Sequence, residues 1–247
     1  MTNQSRFSAR NPPQTEAPEQ LDKLIDFAPL LGRGVLVTIS VAVLALVLAT
    51  FLGALGASAK LSRNVAPRSI AQGYTTIVRG VPDLVLILLI YFGSQRLLNG
   101  VGGLVGASHM DISKFWAGVI SIGFIYGAYL TETFRGAYMA VPRGQAEAAR
   151  ALGIKPLVIL WKVLLPQIMR VALPGYGNVW MVLIKSTAVI SVIGLGDLVG
   201  LADKAGKASR QPFVFMAAVI LIYLAITWVS SLALRYADTR ANRGQGA

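Results

Sequence analysis

The sequence predicts an all-α membrane protein with five transmembrane helices and a helical coupling segment held on one side of the bilayer. Three observations predict it. The 247 residues are 55% apolar and only 14% charged, whereas a soluble domain carries about a quarter charged residues. The charges fall in short clusters between long uncharged blocks. Two of those blocks run to 26 and 24 residues, lengths set by a bilayer rather than by a soluble core. Composition also narrows the chemistry. Cysteine is absent, which removes disulfides and thiolate metal sites, and the single histidine, His109, removes multi-histidine metal motifs. No catalytic residue, metal ligand or cofactor site is therefore nominated. The net charge of +12 is spread between apolar blocks rather than along one solvated face, so it reads as a topology signal and not as a nucleic-acid footprint.

Residues 1–31 form a polar tail with Asn11-Pro12-Pro13 and the acids Glu16, Glu19, Asp22 and Asp26. The basic start and apolar core of a secretory signal are missing. Most of the tail reads as disordered or surface-lying, with the turns around Leu24 to Leu31 along the membrane interface. The membrane domain is placed at 32–236. Its first span, Gly34 to Ala59, is uncharged throughout and makes roughly 39 Å of helix, enough to cross a ~30 Å core with tilt. Gly53 and Ala57 offer a close-packing face. The second span is interrupted at Arg79-Gly80-Val81-Pro82-Asp83, where proline breaks the helix, so the crossing part is set at about 80–98 with the earlier piece near one interface. The third runs from about Phe115 to Ala140, with Gly123 and Gly127 spaced for tight packing. The fourth, about Val171 to Leu195, carries Lys185. The fifth, Gln211 to Leu234, is uncharged, and 237–247 is a C-terminal tail.

Five spans put the termini on opposite sides. Loop 60–68, segment 141–170 and the C-terminal tail carry the denser basic residues and share one side, which the positive-inside rule makes cytoplasmic. The expected placement is a bacterial inner membrane, with the N-terminus periplasmic and the C-terminus cytoplasmic.

The coupling segment, about 141–166, reads as two short helices. Gly144 to Leu152 is rich in helix formers and stopped by Gly153 and Pro156; Leu157 to Leu165 follows and is closed by Pro166. The small Ala148-Ala149 face allows close approach of a partner, and Glu147 and Arg150 supply charge to orient it.

This string closely resembles the EAA loop of permease subunits in ATP-binding-cassette (ABC) importers, whose Glu, Ala pair, Gly and final Pro fall on Glu147, Ala148, Ala149, Gly153 and Pro166. Three further strings, Arg79 to Leu84, Ala128 to Gly136 and Leu183 to Thr187, together with Gly123 to Gly127, look like the polar amino-acid subgroup of these permeases, most of all its Q-type subunit. The resemblance covers roughly residues 32–236. It implies the type I importer permease fold and an ATPase-coupling role for the five residues. It also implies a heterodimer with a related M-type permease, two copies of a separate ATPase that binds ATP and Mg, and a periplasmic substrate-binding protein. The substrates it implies are histidine, arginine, lysine, ornithine or opine-like relatives. The sequence agrees that the ATPase lies elsewhere: Gly200 to Ala208 has one residue too many before Gly206-Lys207 and Ala208 where a phosphate loop needs Ser or Thr.

A charge at mid-bilayer costs ~2.5–3.5 kcal/mol, so Glu132, Asp83, Lys185 and Arg135 need partners or water. Glu132, Asp83 and Lys185 are the candidate substrate-pathway residues. Glu132 either lines the pathway or pairs with Arg135, three residues on along the same helix. Asp83 faces the pathway or the cytoplasmic headgroups. Lys185 meets an acid on the partner permease, the binding protein or a substrate carboxylate. Asp197 caps a turn after Gly194 and Gly196 or meets the binding protein. The alternative reading is a secondary carrier driven by an ion gradient, although no repeat relates the two halves as such folds often show.

Overall fold

The computed structural model describes residues 22–105 and 111–242, all of them helical or in short connections, with no strand among them. The first 21 residues, His109 and the last five residues lie outside that range. The helices are α1 (Ala28–Leu61), α2 (Val65–Gly80), α3 (Asp83–Val105), α4 (Lys114–Ala140), α5 (Arg143–Ala151), α6 (Leu165–Ser186), α7 (Leu198–Ser209) and α8 (Pro212–Asn242). A helical turn (Pro156–Val158) and a π-helical stretch (Ile159–Leu164) precede α6, and a 3₁₀ stretch (Thr187–Ile193) follows it.

Helix α4 is the axis around which the rest packs. It touches α1, α2, α3 and α6, and buries thirteen of its residues. Its partner in closest register is α1. A Cβ added to Gly53 would stand 2.6 Å from the Leu130 Cβ, and one added to Gly123 would stand 2.7 Å from Leu48. The glycines expected to pack tightly therefore pack on one another's helices, bringing two backbones together without a hydrophobic driving force. Because α4 is sheathed by other helices it need not present a uniformly apolar surface to lipid. That explains why polar Tyr126, Tyr129, Glu132 and Arg135 sit in a helix of 27 residues, about 40 Å long.

By length and composition, α1, the run Pro156–Ile193 and α8 each suffice to cross a membrane, and α2 with α3 passes only as a bent pair, so three spans, or four with that pair, meet this test among the described residues. The break falls at Val81 and Pro82, close to its expected place, and bends the pair by 113°. At 16 residues, about 24 Å, α2 is too short to cross and instead packs across α1 and α4.

The ends differ from expectation in three places. Residues 22–26 are already helical and α1 starts at Ala28, before the uncharged block, so Arg33 lies within it. Helix α8 runs past Leu234 to Asn242, its last turns carried by polar helix formers such as Arg240, which contacts the Tyr236 hydroxyl. Pro166 does not close a helix; the chain stays helical from Pro156 to Ile193. A proline ring collides with the carbonyl four residues back in a regular α-helix. Here the preceding turn is π-helical, and the Leu165 amide reaches the Leu160 carbonyl, so the ring meets a widened ladder.

A second cluster, Leu31, Leu198, Ala202, Ala205, Phe215 and Val219, packs α7 and α8 on the start of α1. The Leu198 amide donates to the Thr38 hydroxyl (3.1 Å), and Gly34 leaves no room for a Cβ against Leu198.

Candidate functional site

The charged residues expected inside the membrane gather on or beside α4. Glu132 accepts from Arg135, Nε at 2.9 Å and Nη2 at 2.8 Å, so the pairing expected at three-residue spacing is present. It is also in contact with the Lys60 ammonium, which reaches it from the last turn of α1. Lys60 donates in addition to the Thr75 hydroxyl of α2 (2.6 Å), so one ammonium ties α1, α2 and α4 together. The Lys60 side chain is only 5% exposed, which makes this a desolvated ion pair. Lys60 was counted among the basic residues of the following loop. The signal that could have found it is that the α1 helix continues one residue beyond it.

Asp83 is the first residue of α3, placed there by the proline break. Its Oδ2 accepts from the Tyr126 hydroxyl at 2.9 Å and lies 3.5 Å from the Ser186 hydroxyl. Tyr126 and Ser186 also touch each other through their hydroxyls, which joins α3, α4 and the end of α6. Tyr126 is about 18 Å from the start of α4 and about 21 Å from its end, so Asp83 is held against the middle of α4. Neither Tyr126 nor Ser186 was singled out from the sequence, because nothing local marks a hydroxyl as the partner of an acid 43 or 103 residues away.

Between these two knots lie the Tyr126 and Tyr129 rings, stacked at 5.5 Å, and the Arg79 guanidinium, 5.3 Å from the centre of the Tyr129 ring. A cleft of ≈ 460 Å³ opens here, bounded by Arg79, Tyr129, Glu132, Arg135, Lys60 and Gln72 among others. A second, mostly apolar groove of ≈ 880 Å³ runs between α1 and α6 over the Thr50–Tyr176 hydroxyl pair.

Lys185 stands apart. It is exposed on α6 next to Ser186, so it lies beside the Asp83 network without joining it. Asp197 caps α7, accepting from the Gly200 amide at 3.1 Å and the Val199 amide at 3.4 Å, and burial pushes its carboxyl up to about 6. Capping is thus its visible role.

In the coupling segment α5 spans Arg143–Ala151, and Gly153 closes it with φ +74°. The Gly153 amide bonds to the Arg150 carbonyl (2.9 Å) and the Ile154 amide to the Ala149 carbonyl (3.2 Å), the paired closure that favours glycine. Glu147 and Ala148 are exposed; Ala149 faces inward and is buried. The expected small-residue face is therefore split, half outward and half used to seat α5 on the π-helical stretch. Pro166 lies exposed at the head of α6. Among the described residues no three acids or histidines stand close enough to hold a metal ion.

Residues 46–243 match the family described as the inner membrane component of binding-protein-dependent transport systems. The chain is 47% identical over 221 residues to the histidine/lysine/arginine/ornithine transport system permease protein HisQ of Escherichia coli strain K12, covering 90% of this chain and 97% of that one. It is 43% identical over 213 residues to the octopine transport system permease protein OccQ of Rhizobium radiobacter, covering 86% and 90%. A crystal structure of an amino acid ABC transporter with histidines superposes with a TM-score of 0.77 at 32% identity, covering 88% of this chain and 96% of that one. The inward-facing MetNI methionine ABC transporter gives 0.68 at 20% identity, covering 88% and 99%, a likeness of fold alone.

Proposed function

The chain belongs to the family of inner membrane components of binding-protein-dependent transport systems, and from that premise we propose that it is the permease subunit of an ATP-driven importer of basic amino acids or their opine-like conjugates. It carries no ATPase of its own and couples the motion of a separate ATPase, which binds ATP and Mg, to alternating access. Its assembly is a heterodimer with a related M-type permease, two ATPase subunits and a periplasmic substrate-binding protein. The N-terminus is periplasmic and the C-terminus cytoplasmic, in keeping with the basic residues of 60–68 and 141–170.

One observation carries the coupling role. The exposed α5, closed at Gly153, leads after four residues into an unbroken helical run that passes the Asp83 network at Ser186. Glu147 and Ala148 present the docking face; Ala149, Gly153 and Pro166 fix its angle on that run. Asp83 is the pathway carboxylate, half-buried against the middle of α4 and able to attract a cationic side chain. Glu132 acts closer to the cytoplasmic end through the cations that neutralise it. Lys185 meets an acid of the partner permease.

The test is ATP-driven uptake of labelled L-arginine, L-lysine and L-histidine by the full complex in proteoliposomes. Glu147→Arg is expected to insert normally and to lower uptake at least ~10-fold while ATP hydrolysis continues, since it replaces an exposed carboxylate at a docking contact by the opposite charge. Normal uptake by a well-inserted Glu147→Arg complex would overturn the coupling role. Uptake that survives ATP depletion while the proton gradient is held would point instead to a gradient-driven carrier.

A further inference from the structure

The cleft below the α2–α3 break holds more positive charge than its one acid can balance. Lys60, Arg79 and Arg135 line it against Glu132 alone, three cations to one carboxylate. Glu132 is already claimed twice, by Lys60 and by Arg135. Arg79 is different. Among the described residues it donates no hydrogen bond to any other side chain, and its contact is the face of the Tyr129 ring. It is exposed into the cleft rather than folded against a carboxylate. A guanidinium is a planar fork of donors shaped for an oxyanion.

The surroundings identify the oxyanion. Tyr126, Tyr129, Glu132 and Arg135 recur every third residue on α4, so a line of polar groups winds from the Asp83 network to the cleft. Asp83 stands four residues beyond Arg79, across the break, and is joined to it through Tyr126 and the stacked Tyr129 ring. One end of this line carries the Asp83 carboxylate; the other is cationic and open to an anion. A free amino acid with a cationic side chain carries both charges.

We infer that the cleft is the seat of the substrate's α-carboxylate, with Arg79 as the group that binds it and the Tyr126–Tyr129 stack and Asp83 holding the cationic end. This rests on the substrate class proposed above. Arg79 is then a specificity-determining residue: it admits α-amino acids and opine-like carboxylates and rejects amines that lack the carboxylate.

The experiment is equilibrium binding to the purified permease–ATPase complex in nanodiscs without the binding protein, so that discrimination belongs to the permease. The probes are L-arginine and agmatine, the same molecule without its carboxylate. Wild type is expected to bind L-arginine at least ~10-fold more tightly than agmatine, as the loss of a charge-assisted pair implies. Arg79→Gln is expected to remove that preference by weakening L-arginine ~10-fold with agmatine within about twofold, and Arg79→Lys to restore part of it. Equal wild-type affinity for the two probes overturns the carboxylate seat while leaving the importer of basic amino acids standing. If wild type binds no basic amino acid, both readings fall. Repeating the titration with and without phosphatidylglycerol separates the other source of an oxyanion: an Arg79→Gln effect that follows anionic lipid and not the substrate carboxylate assigns the cleft to a lipid headgroup and overturns the proposal.

Discussion

Lys60 and Glu132 set the scale at which single atoms matter in this protein. Each is an ion that lipid would not tolerate alone, and each is made acceptable by the other, by Arg135 and by the Thr75 hydroxyl. Removing one partner of a buried pair leaves an uncompensated charge, which typically costs 3–5 kcal/mol, whereas replacing both by apolar groups is often near neutral. Thermal unfolding of the detergent-solubilised complex is therefore expected to show a large loss for Lys60→Met and for Glu132→Leu. The double variant should lose less than the sum of the two. Additive losses would mean that the pair does not hold the three helices together. The pairing of Glu132 with Arg135 was legible from a spacing of three on one helix. That with Lys60 was not, because 72 residues separate the two and the charge seemed to belong to a loop. Asp83 was legible as needing a partner, but its hydroxyl ligands were not, since Tyr and Ser look alike in a sequence whether or not they face an acid.

Helices in lipid must find reasons to associate other than escape from water, and α1 and α4 find theirs in glycine. Gly53→Leu would drive a side chain into Leu130, where even a Cβ stands 2.6 Å from the neighbouring one. Overpacking of this kind costs roughly 1–3 kcal/mol or more. Gly32→Ala, in the same helix with nothing within 4 Å, should be neutral or mildly stabilising and serves as the control. Melting temperatures that fall equally for both would remove the close α1–α4 contact as the cause. Gly53, Gly123 and Gly127 were legible because small residues at i, i+4 have few other uses in an uncharged helix. Pro166 was misread for a definite reason: the rule that proline ends a helix assumes an α ladder behind it. The π-helical turn that relaxes this rule leaves no mark in Ile159-Leu160-Trp161.

Taken as a whole molecule, the chain has an unfinished surface. Leu36, Val47 and Phe51 on α1 and Phe213, Leu221 and Trp228 on α8 are exposed and suit lipid, but Lys185, exposed within the apolar run Pro156–Ile193, does not. Expressed without the M-type permease proposed as its partner, the chain is expected to be short-lived in the membrane. Lys185→Met should raise its steady-state amount when alone, since a mid-bilayer charge costs ~2.5–3.5 kcal/mol, and should impair assembly when the partner is present. No gain for the lone variant, measured by pulse-chase, would mean that Lys185 reaches water. The helical membrane architecture and the coupling loop were legible from charge spacing and from one motif. The central place of α4 was not, because a helix sheathed by others is marked by what surrounds it. The unbroken run from Pro156 to Ile193 has a mechanical consequence. Pro174 lacks the amide that would bond to the Arg170 carbonyl, so the run has a soft point about 27 Å from Pro156 and about 18 Å from Ser186. A joint there lets the α5 arm swing while the shorter Ser186 arm stays seated, so a sideways push at α5 reaches the contact of Ser186 with Tyr126 only in part.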